Sequence, residues 1–288
     1  MRALLGAVAL VAVALWVGTD AVLAGLAAID AVAVLAALAV GLLTTLCAAA
    51  RWCLVARGLG VALPFGTAVA DTYRAVALNS LLPAGVLGDV HRAVAHRRAD
   101  GRGLRAVVLE RTAGQTVVVV AGLGVLLVQP ALLGGLLPAL GVAAGVLVLV
   151  ALPAWRVPRV RSALRTFRSD AAVLARGTGL AVVALSLTAL AGYLALFVVA
   201  ARAAGVTAPV GVLLPLLVLA LLAMVLPLGV GGFGPREAVG TVAFSAAGLG
   251  AAQGLTAAVV YGVLGTIACL PGLAVLLRPA PRAEAAPC

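Results

Sequence analysis

The sequence contains no lysine: all 20 of its basic residues are arginine. Acids are scarcer still, at nine, and charged residues amount to only 10% of the 288 positions. A soluble domain usually carries about a quarter charged residues, so a water-facing surface cannot be assembled from this composition. That excludes a soluble enzyme and a chain that is disordered throughout. Cysteine is limited to Cys47, Cys53, Cys269 and Cys288, with no C-x-x-C pair, which argues against a disulfide-built secreted module. The two histidines, His91 and His96, stand five apart beside an arginine run and share no ligand spacing with a cysteine. No metal site is expected from them. Also missing are a serine in a G-x-S-x-G elbow, an H-E-x-x-H pair, and Walker or Rossmann glycines in a strand–helix setting. The few acids are too sparse for a general acid/base pair. No cofactor and no conventional catalytic site is expected.

What fills the chain is apolar: 65% of residues, with a mean hydropathy of +1.25. Runs of 18 to 25 nearly uncharged residues recur from end to end. Each is near the roughly 20 residues that a helix rising 1.5 Å per residue needs to span hydrocarbon. Six are placed near 3–23, 29–50, 106–128, 131–152, 178–200 and 207–228, and a last long one covers 255–277. Their composition shows no period-2 alternation, and backbone amides in lipid must be satisfied internally, so helices are expected rather than a barrel. The run from Ala3 to Val17 resembles a signal peptide, but a second run from Ala31 to Ala50 follows at once, so the first is read as a retained crossing.

A net charge of +11 could suggest a nucleic-acid partner. The arginines are instead spaced as topology markers. Six lie between Arg92 and Arg111, six between Arg156 and Arg176, and Arg51 and Arg57 follow the second apolar run. Such segments stay on the cytoplasmic side and are drawn to anionic headgroups there. With the N-terminus inside, loop 129–138 falls outside with no arginine and loop 201–206 with only Arg202. The expectation is a multi-pass membrane protein with these arginine segments on the cytoplasmic side, binding no nucleic acid. Trp16, Trp52 and Trp155 each fall near a proposed helix end, as an aromatic belt would place them.

Two stretches interrupt this pattern. Residues 64–90 must begin and end inside, yet they contain Asp71, Arg74, Asn79, Pro83 and Asp89. A re-entrant hairpin, or two short helices meeting near mid-membrane, satisfies that parity. Residues 227–250 hold a glycine-rich break, then Arg236 and Glu237, then about a dozen mostly apolar residues that span only about 20 Å. The expected architecture is therefore an all-α polytopic membrane protein of about seven to eight crossings with two broken or re-entrant helical hairpins. It forms a single integral membrane domain over 1–278, followed by a disordered, proline-rich tail at 279–288.

Ionisable groups inside hydrocarbon must be paired, hydrated or functional, and three constellations stand out. Asp89 and Arg92, three apart, are neighbours if their stretch is helical. Pro83, Gly85 and Gly88 precede them and favour a break that frees amides for an anion. Glu110 and Arg111 open a long crossing and point different ways on a helix, so each can reach another helix, with Arg92 or Arg236 as partners for Glu110. Gly229-Val-Gly231-Gly232-Phe-Gly234-Pro235-Arg236-Glu237 cannot be a comfortable helix interior. Pro235 reads as a helix start with an acid in its first turn. Broken helices of this kind hold ligands in transporters, and an arginine there offers a phosphate two parallel donors.

In this order, Asn79…Pro83-x-Gly85-x-x-Gly88-Asp89-x-x-Arg92, then Glu110-Arg111, then Gly231-Gly232-Phe233-Gly234-x-Arg236-Glu237, the chain resembles the lysylphosphatidylglycerol synthase transmembrane region family. The likeness spans about residues 3–277. That family includes free-standing bacterial and archaeal membrane proteins and the N-terminal flippase region of aminoacyl-phosphatidylglycerol synthases of the multiple peptide resistance type. The sequence departs from the family at Ala84, where arginine is common, and at Thr112, Ala113 and Gly114, where an aspartate often follows the glutamate–arginine pair. No soluble aminoacyl-transferring domain is present, so the resemblance implies no synthase activity.

The resemblance implies a lipid flippase-like or anionic-lipid-binding transporter, with phosphatidylglycerol derivatives or polyprenyl-phosphate-linked sugars as candidate substrates. Arg92, Arg111 and Arg236 would bind the headgroup, and Asp89, Glu110, Glu237 and Asn79 would position them. Pro83, Gly85, Gly88, Gly231, Gly232, Gly234 and Pro235 would form the gate. The alternative is a non-catalytic membrane scaffold or partner subunit of a glycosyltransferase or lipid-modifying enzyme. An intramembrane enzyme acting on lipid phosphate is a third reading.

Overall fold

The computed structural model describes residues 23, 26–81, 87–96, 101–130, 132, 134, 141, 157–225 and 234–276, and every regular element among them is an α-helix. The crossing expected at 3–23, most of that at 131–152, Pro83, Gly85, Gly231, Gly232 and the tail from 279 lie outside the described residues. In chain order the helices are α1 (Ala31–Gly58), α2 (Phe65–Leu81), α3 (Leu87–Ala95), α4 (Arg102–Val128) and α5 (Pro158–Gly177). There follow α6 (Gly179–Ala203), α7 (Val210–Ala223), α8 (Pro235–Ala246), α9 (Ala251–Ala268) and α10 (Leu270–Leu276).

Helix α1 starts where the Asp30 carboxylate accepts a hydrogen bond from the Ala33 amide at 2.8 Å, which satisfies one of the amides that a first turn leaves unpaired. It does not end near Ala50 but runs on to Gly58. Arg51 and Trp52 therefore lie two turns inside the helix. Trp52 is fully buried, not part of an interfacial belt. Helix α4 likewise begins at Arg102, which places Glu110 two turns in.

Among the described residues, four helical stretches are long and apolar enough to cross a membrane: Ala31–Gly58, Arg102–Val128, Gly179–Ala203 and Ala251–Gly272, the last running from α9 into α10. The expected crossing at 207–228 is a shorter helix. Its 14 residues rise about 21 Å, against roughly 30 Å of hydrocarbon. The arginine stretch at 156–176, expected as a connecting segment, is helix α5. Its Phe167, Ala171 and Leu174 pack against the cluster formed by Trp52, Val55, Val107 and Leu109, and Asp170 accepts from Arg105 Nε at 2.8 Å.

Helix α1 lies at the centre, packed against α2, α4, α6 and α9, while α9 also packs against α8. A second apolar cluster joins α6, α7, α8 and α9 through Phe197, Leu213, Leu217, Phe244 and Leu264. Outward faces are also apolar: Val120, Leu123 and Leu127 are all exposed at spacings of three and four on α4. In water such a stripe would be an aggregation surface, whereas against lipid tails it is the expected boundary. Several charged side chains are buried among these helices, Arg51, Arg92, Glu110, Arg236 and Glu237 among them.

Candidate functional site

Arg51, Arg92, Glu110, Arg236 and Glu237 are all buried, the last two to within 1% of complete burial. Burying an ion costs several kcal/mol unless it is paired and hydrogen-bonded, so the arrangement around each one is informative. Most of them border a single cavity of about 390 Å³, a volume within the ordinary range of small-molecule sites. Its wall takes Arg51 from α1, Thr72 and Asn79 from α2, and Asp89 and Arg92 from α3. It also takes Glu110, Arg111 and Gln115 from α4, Ser186 and Tyr193 from α6, Arg236 from α8 and Tyr261 from α9. Leu190, Leu221, Met224 and Val225 complete it with apolar surface.

Glu110 bridges two arginines. Its Oε1 accepts from Arg51 Nη2 at 2.5 Å and Nε at 3.0 Å, and its Oε2 accepts from Arg92 Nη2 at 3.2 Å. Arg51 Nη1 also donates to Ser186 Oγ at 3.1 Å, which ties α1 to α6. Asp89 pairs with Arg92 on its own helix and with Arg111 of α4. Its second oxygen also accepts from Asn79 Nδ2 at 3.2 Å. Asn79 is the chain's sole asparagine, and its Oδ1 accepts from the Gly88 amide at 2.7 Å. One side chain thus satisfies the exposed start of α3 and steadies the acid within it. Gly88 permits this approach: a Cβ there would collide with the Ala75 carbonyl oxygen on α2.

The Arg92 guanidinium carbon also lies 4.9 Å from the centroid of Trp52, a cation–π contact that is strengthened by burial. Its Nε and Nη1 are buried with no hydrogen-bond partner among the described residues, and so is the Thr72 hydroxyl. Unsatisfied donors of this kind are rare in folded interiors and call for an acceptor.

On the opposite wall, α8 begins after Gly234, whose φ of 110° is a conformation that side chains other than glycine's rarely adopt. Pro235 takes the first helical position, as expected. Glu237 bends back so that its Oε2 accepts from the Gly234 amide at 2.6 Å. That turn brings its Oε1 to Arg236 Nε at 2.9 Å, although adjacent helical residues ordinarily diverge. Arg236 lies 5.2 Å over the ring of Tyr261, which stacks on Phe197 with centroids 4.3 Å apart. Glu237 stands behind Arg236 and does not line the cavity.

The structure thus gathers Arg92, Arg111, Arg236, Asp89, Glu110 and Asn79 around one volume. Sequence reasoning missed Arg51, which it treated as a helix-end marker, and the neutral residues Thr72, Gln115, Ser186, Tyr193 and Tyr261. Asp71 and Arg74, noted as odd in the 64–90 stretch, form a separate pair at 2.7 Å that His96 joins through Nε2, also at 2.7 Å.

Long apolar helices around a charged cavity define a polytopic membrane protein. The sequence profile of the lysylphosphatidylglycerol synthase TM region family matches residues 3–272, and the chain belongs to that family. It is accordingly a bacterial multi-pass membrane protein of flippase-like type. No curated protein and no solved structure matches it.

Proposed function

We propose that the cavity binds the headgroup of an anionic membrane lipid and carries it across the bilayer while the lipid's chains stay in the hydrocarbon. The observation that carries this reading is a charge imbalance. Four arginines (Arg51, Arg92, Arg236 and the half-buried Arg111) meet three carboxylates (Asp89, Glu110 and Glu237) in and immediately behind one cavity. An uncompensated positive charge in a low-dielectric interior is costly, and a singly charged phosphodiester would cancel it. Arg92 supports the same reading, since its two unpartnered nitrogens can serve phosphate oxygens with short, charge-assisted bonds.

In this reading Arg92, Arg111, Arg236 and Arg51 contact the headgroup, Asp89, Glu110 and Glu237 hold the guanidinium groups apart, and Asn79 fixes the start of α3. Gly88, Gly234 and Pro235 belong to the hinges, together with Pro83, Gly85, Gly231 and Gly232. Helices α2 and α3 form a re-entrant hairpin within a single membrane domain over 1–278 of seven or eight crossings. Leu87, Val90 and Val94 of α3 support that placement. They face outward at 44%, 51% and 63% exposure, while Asp89 and Arg92 face inward, an arrangement suited to an outer solvent of lipid.

The test is reconstitution of the purified chain into vesicles that carry a fluorescent anionic lipid. Accelerated transbilayer movement, reduced at least about tenfold by Arg92→Gln and by Arg236→Gln, is the expected result. No acceleration for any anionic lipid, with both variants equal to the parent, would remove the reading. A co-purifying glycosyltransferase or lipid-modifying enzyme that needs this chain, which by itself moves no lipid, would favour the scaffold role.

A further inference from the structure

Besides its ion pairs, the cavity is lined by neutral hydroxyls, among them Thr44 of α1, Ser80 of α2 and Thr266 of α9. We infer that these three oxygens form a second subsite, which accepts hydrogen bonds from O–H or N–H groups of the head beyond its phosphodiester. The inference rests on the lipid-binding reading and deepens it. The heads it describes are glycerol, sugar or aminoacyl groups, as against a bare phosphodiester.

A hydroxyl has one hydrogen to donate and two lone pairs with which to accept. In all three residues the hydrogen is committed to the residue's own helix. Thr44 Oγ1 donates to the Val40 carbonyl, Ser80 Oγ to that of Val76 and Thr266 Oγ1 to that of Gly262, each at 2.9 Å. Thr112, Thr116 and Thr188 make the same bond on outward faces, so it is a general way for an apolar helix to absorb a hydroxyl. What sets the first three apart is their place on the cavity wall, where the oxygen can still accept. Ser186 shows the contrast within the same wall. It donates to the Val182 carbonyl at 2.7 Å and already accepts from Arg51 at 3.1 Å, so it serves the charged network.

The three oxygens come from one joint. A Cβ at Gly41 would lie 2.8 Å from the Ala268 carbonyl oxygen, so α1 and α9 touch close to Thr44 and Thr266. Ser80 Oγ stands 3.2 Å from Cys269 Sγ, which brings α2 to the same place. The vacant donors of the wall lie further along α2. Gly88 packs on Ala75 and His96 bonds Asp71, so Arg92, between them on α3, is level with the turn of α2 that carries Thr72. The Thr72 side chain is buried, and its hydroxyl, like Arg92 Nε and Nη1, has no hydrogen-bond partner among the described residues.

Thr72 and Ser80 both line the cavity, about 12 Å apart along the axis of α2. A head laid along this wall has its phosphodiester against Arg92 and Thr72, and its outer hydroxyls or amines against Ser80, Thr44 and Thr266. A head that ends at the phosphodiester displaces water from these acceptors without replacing its bonds. A site built to hydrogen-bond a ligand's O–H or N–H discriminates against an analogue that lacks it.

The test uses the full chain in phosphatidylcholine nanodiscs and measures binding of phosphatidylglycerol and phosphatidylmethanol. These two lipids carry the same single negative charge and differ in the hydroxyls of the head. Soluble glycerophosphoglycerol is included as a free-anion probe. Phosphatidylglycerol is expected to bind at least about fivefold more tightly than phosphatidylmethanol, and more tightly than the soluble anion. In the double variant Ser80→Ala with Thr266→Val, the preference between the two lipids should fall to within about twofold. Should that variant fail to fold, each single variant should reduce the preference at least about twofold.

Equal or tighter binding of phosphatidylmethanol by the parent chain, or a preference that survives in the variants, would overturn the inference while leaving a lipid site in place. Glycerophosphoglycerol bound as tightly as phosphatidylglycerol, or no anionic lipid bound at all, would instead bring down the lipid-binding reading itself.

Discussion

Glu110 is the residue on which most of the site's electrostatics converge, because one carboxylate separates Arg51 from Arg92. Glu110→Gln should destabilise the fold by about 3–5 kcal/mol, the usual cost of leaving a buried ion unpaired. The measurement is thermal unfolding in detergent, and added anionic lipid should restore part of the loss. Asn79→Leu removes two hydrogen bonds that hold the start of α3 and should cost about 1–3 kcal/mol in the same assay. These residues differed in how readable they were from sequence. Asp89, Arg92, Glu110 and Arg236 stood out because ionisable groups in or beside apolar runs are scarce and must be paired, hydrated or functional. Arg51 did not, because it directly follows an uncharged, mostly apolar run of twenty residues, where an arginine ordinarily marks the membrane surface. Only the continuation of α1 to Gly58 turns it inward, and hydropathy does not report where a helix stops once its apolar run has ended. Thr72, Ser186 and Tyr261 carry no signal of their own; a tertiary fold is needed to place them at a wall.

At the scale of elements, the joint between α2 and α3 is exacting, since two backbones touch there. Gly88→Val should displace α3 and carry Asp89 and Arg92 with it, lowering the yield of folded protein more than Gly101→Ala, a site where an added Cβ meets nothing even though the backbone conformation is strained. If α2 and α3 form a re-entrant hairpin, fluorophores on cysteines introduced at Val90 and Val94 should be quenched by nitroxides attached to lipid chains. Quenching by aqueous iodide instead would place that face in water. Helix α5 shows why some elements escaped the sequence. Val160, Phe167, Ala171 and Leu174 recur at helical spacings, yet six arginines between 156 and 176 made topology the more conspicuous message. The long crossings were easier to read, because bilayer thickness alone demands their length.

The whole molecule combines an apolar outer face on its long helices with an apolar interior that encloses several ion pairs. Its surplus of arginine gives it a fixed orientation that one label can check. A cysteine at the exposed position Ser162 of α5, in a background lacking the native cysteines, should resist an impermeant maleimide in intact cells and react once the membrane is opened. Labelling from outside would reverse the topology. The nine residues of α3 have a larger consequence. They are a partition one helix thick, with Arg92 on one side and, in the proposed placement, acyl tails on the other. Lateral pressure in the bilayer would then bear directly on the wall of the pocket, so membrane fluidity would tune the affinity of the site without any separate sensor.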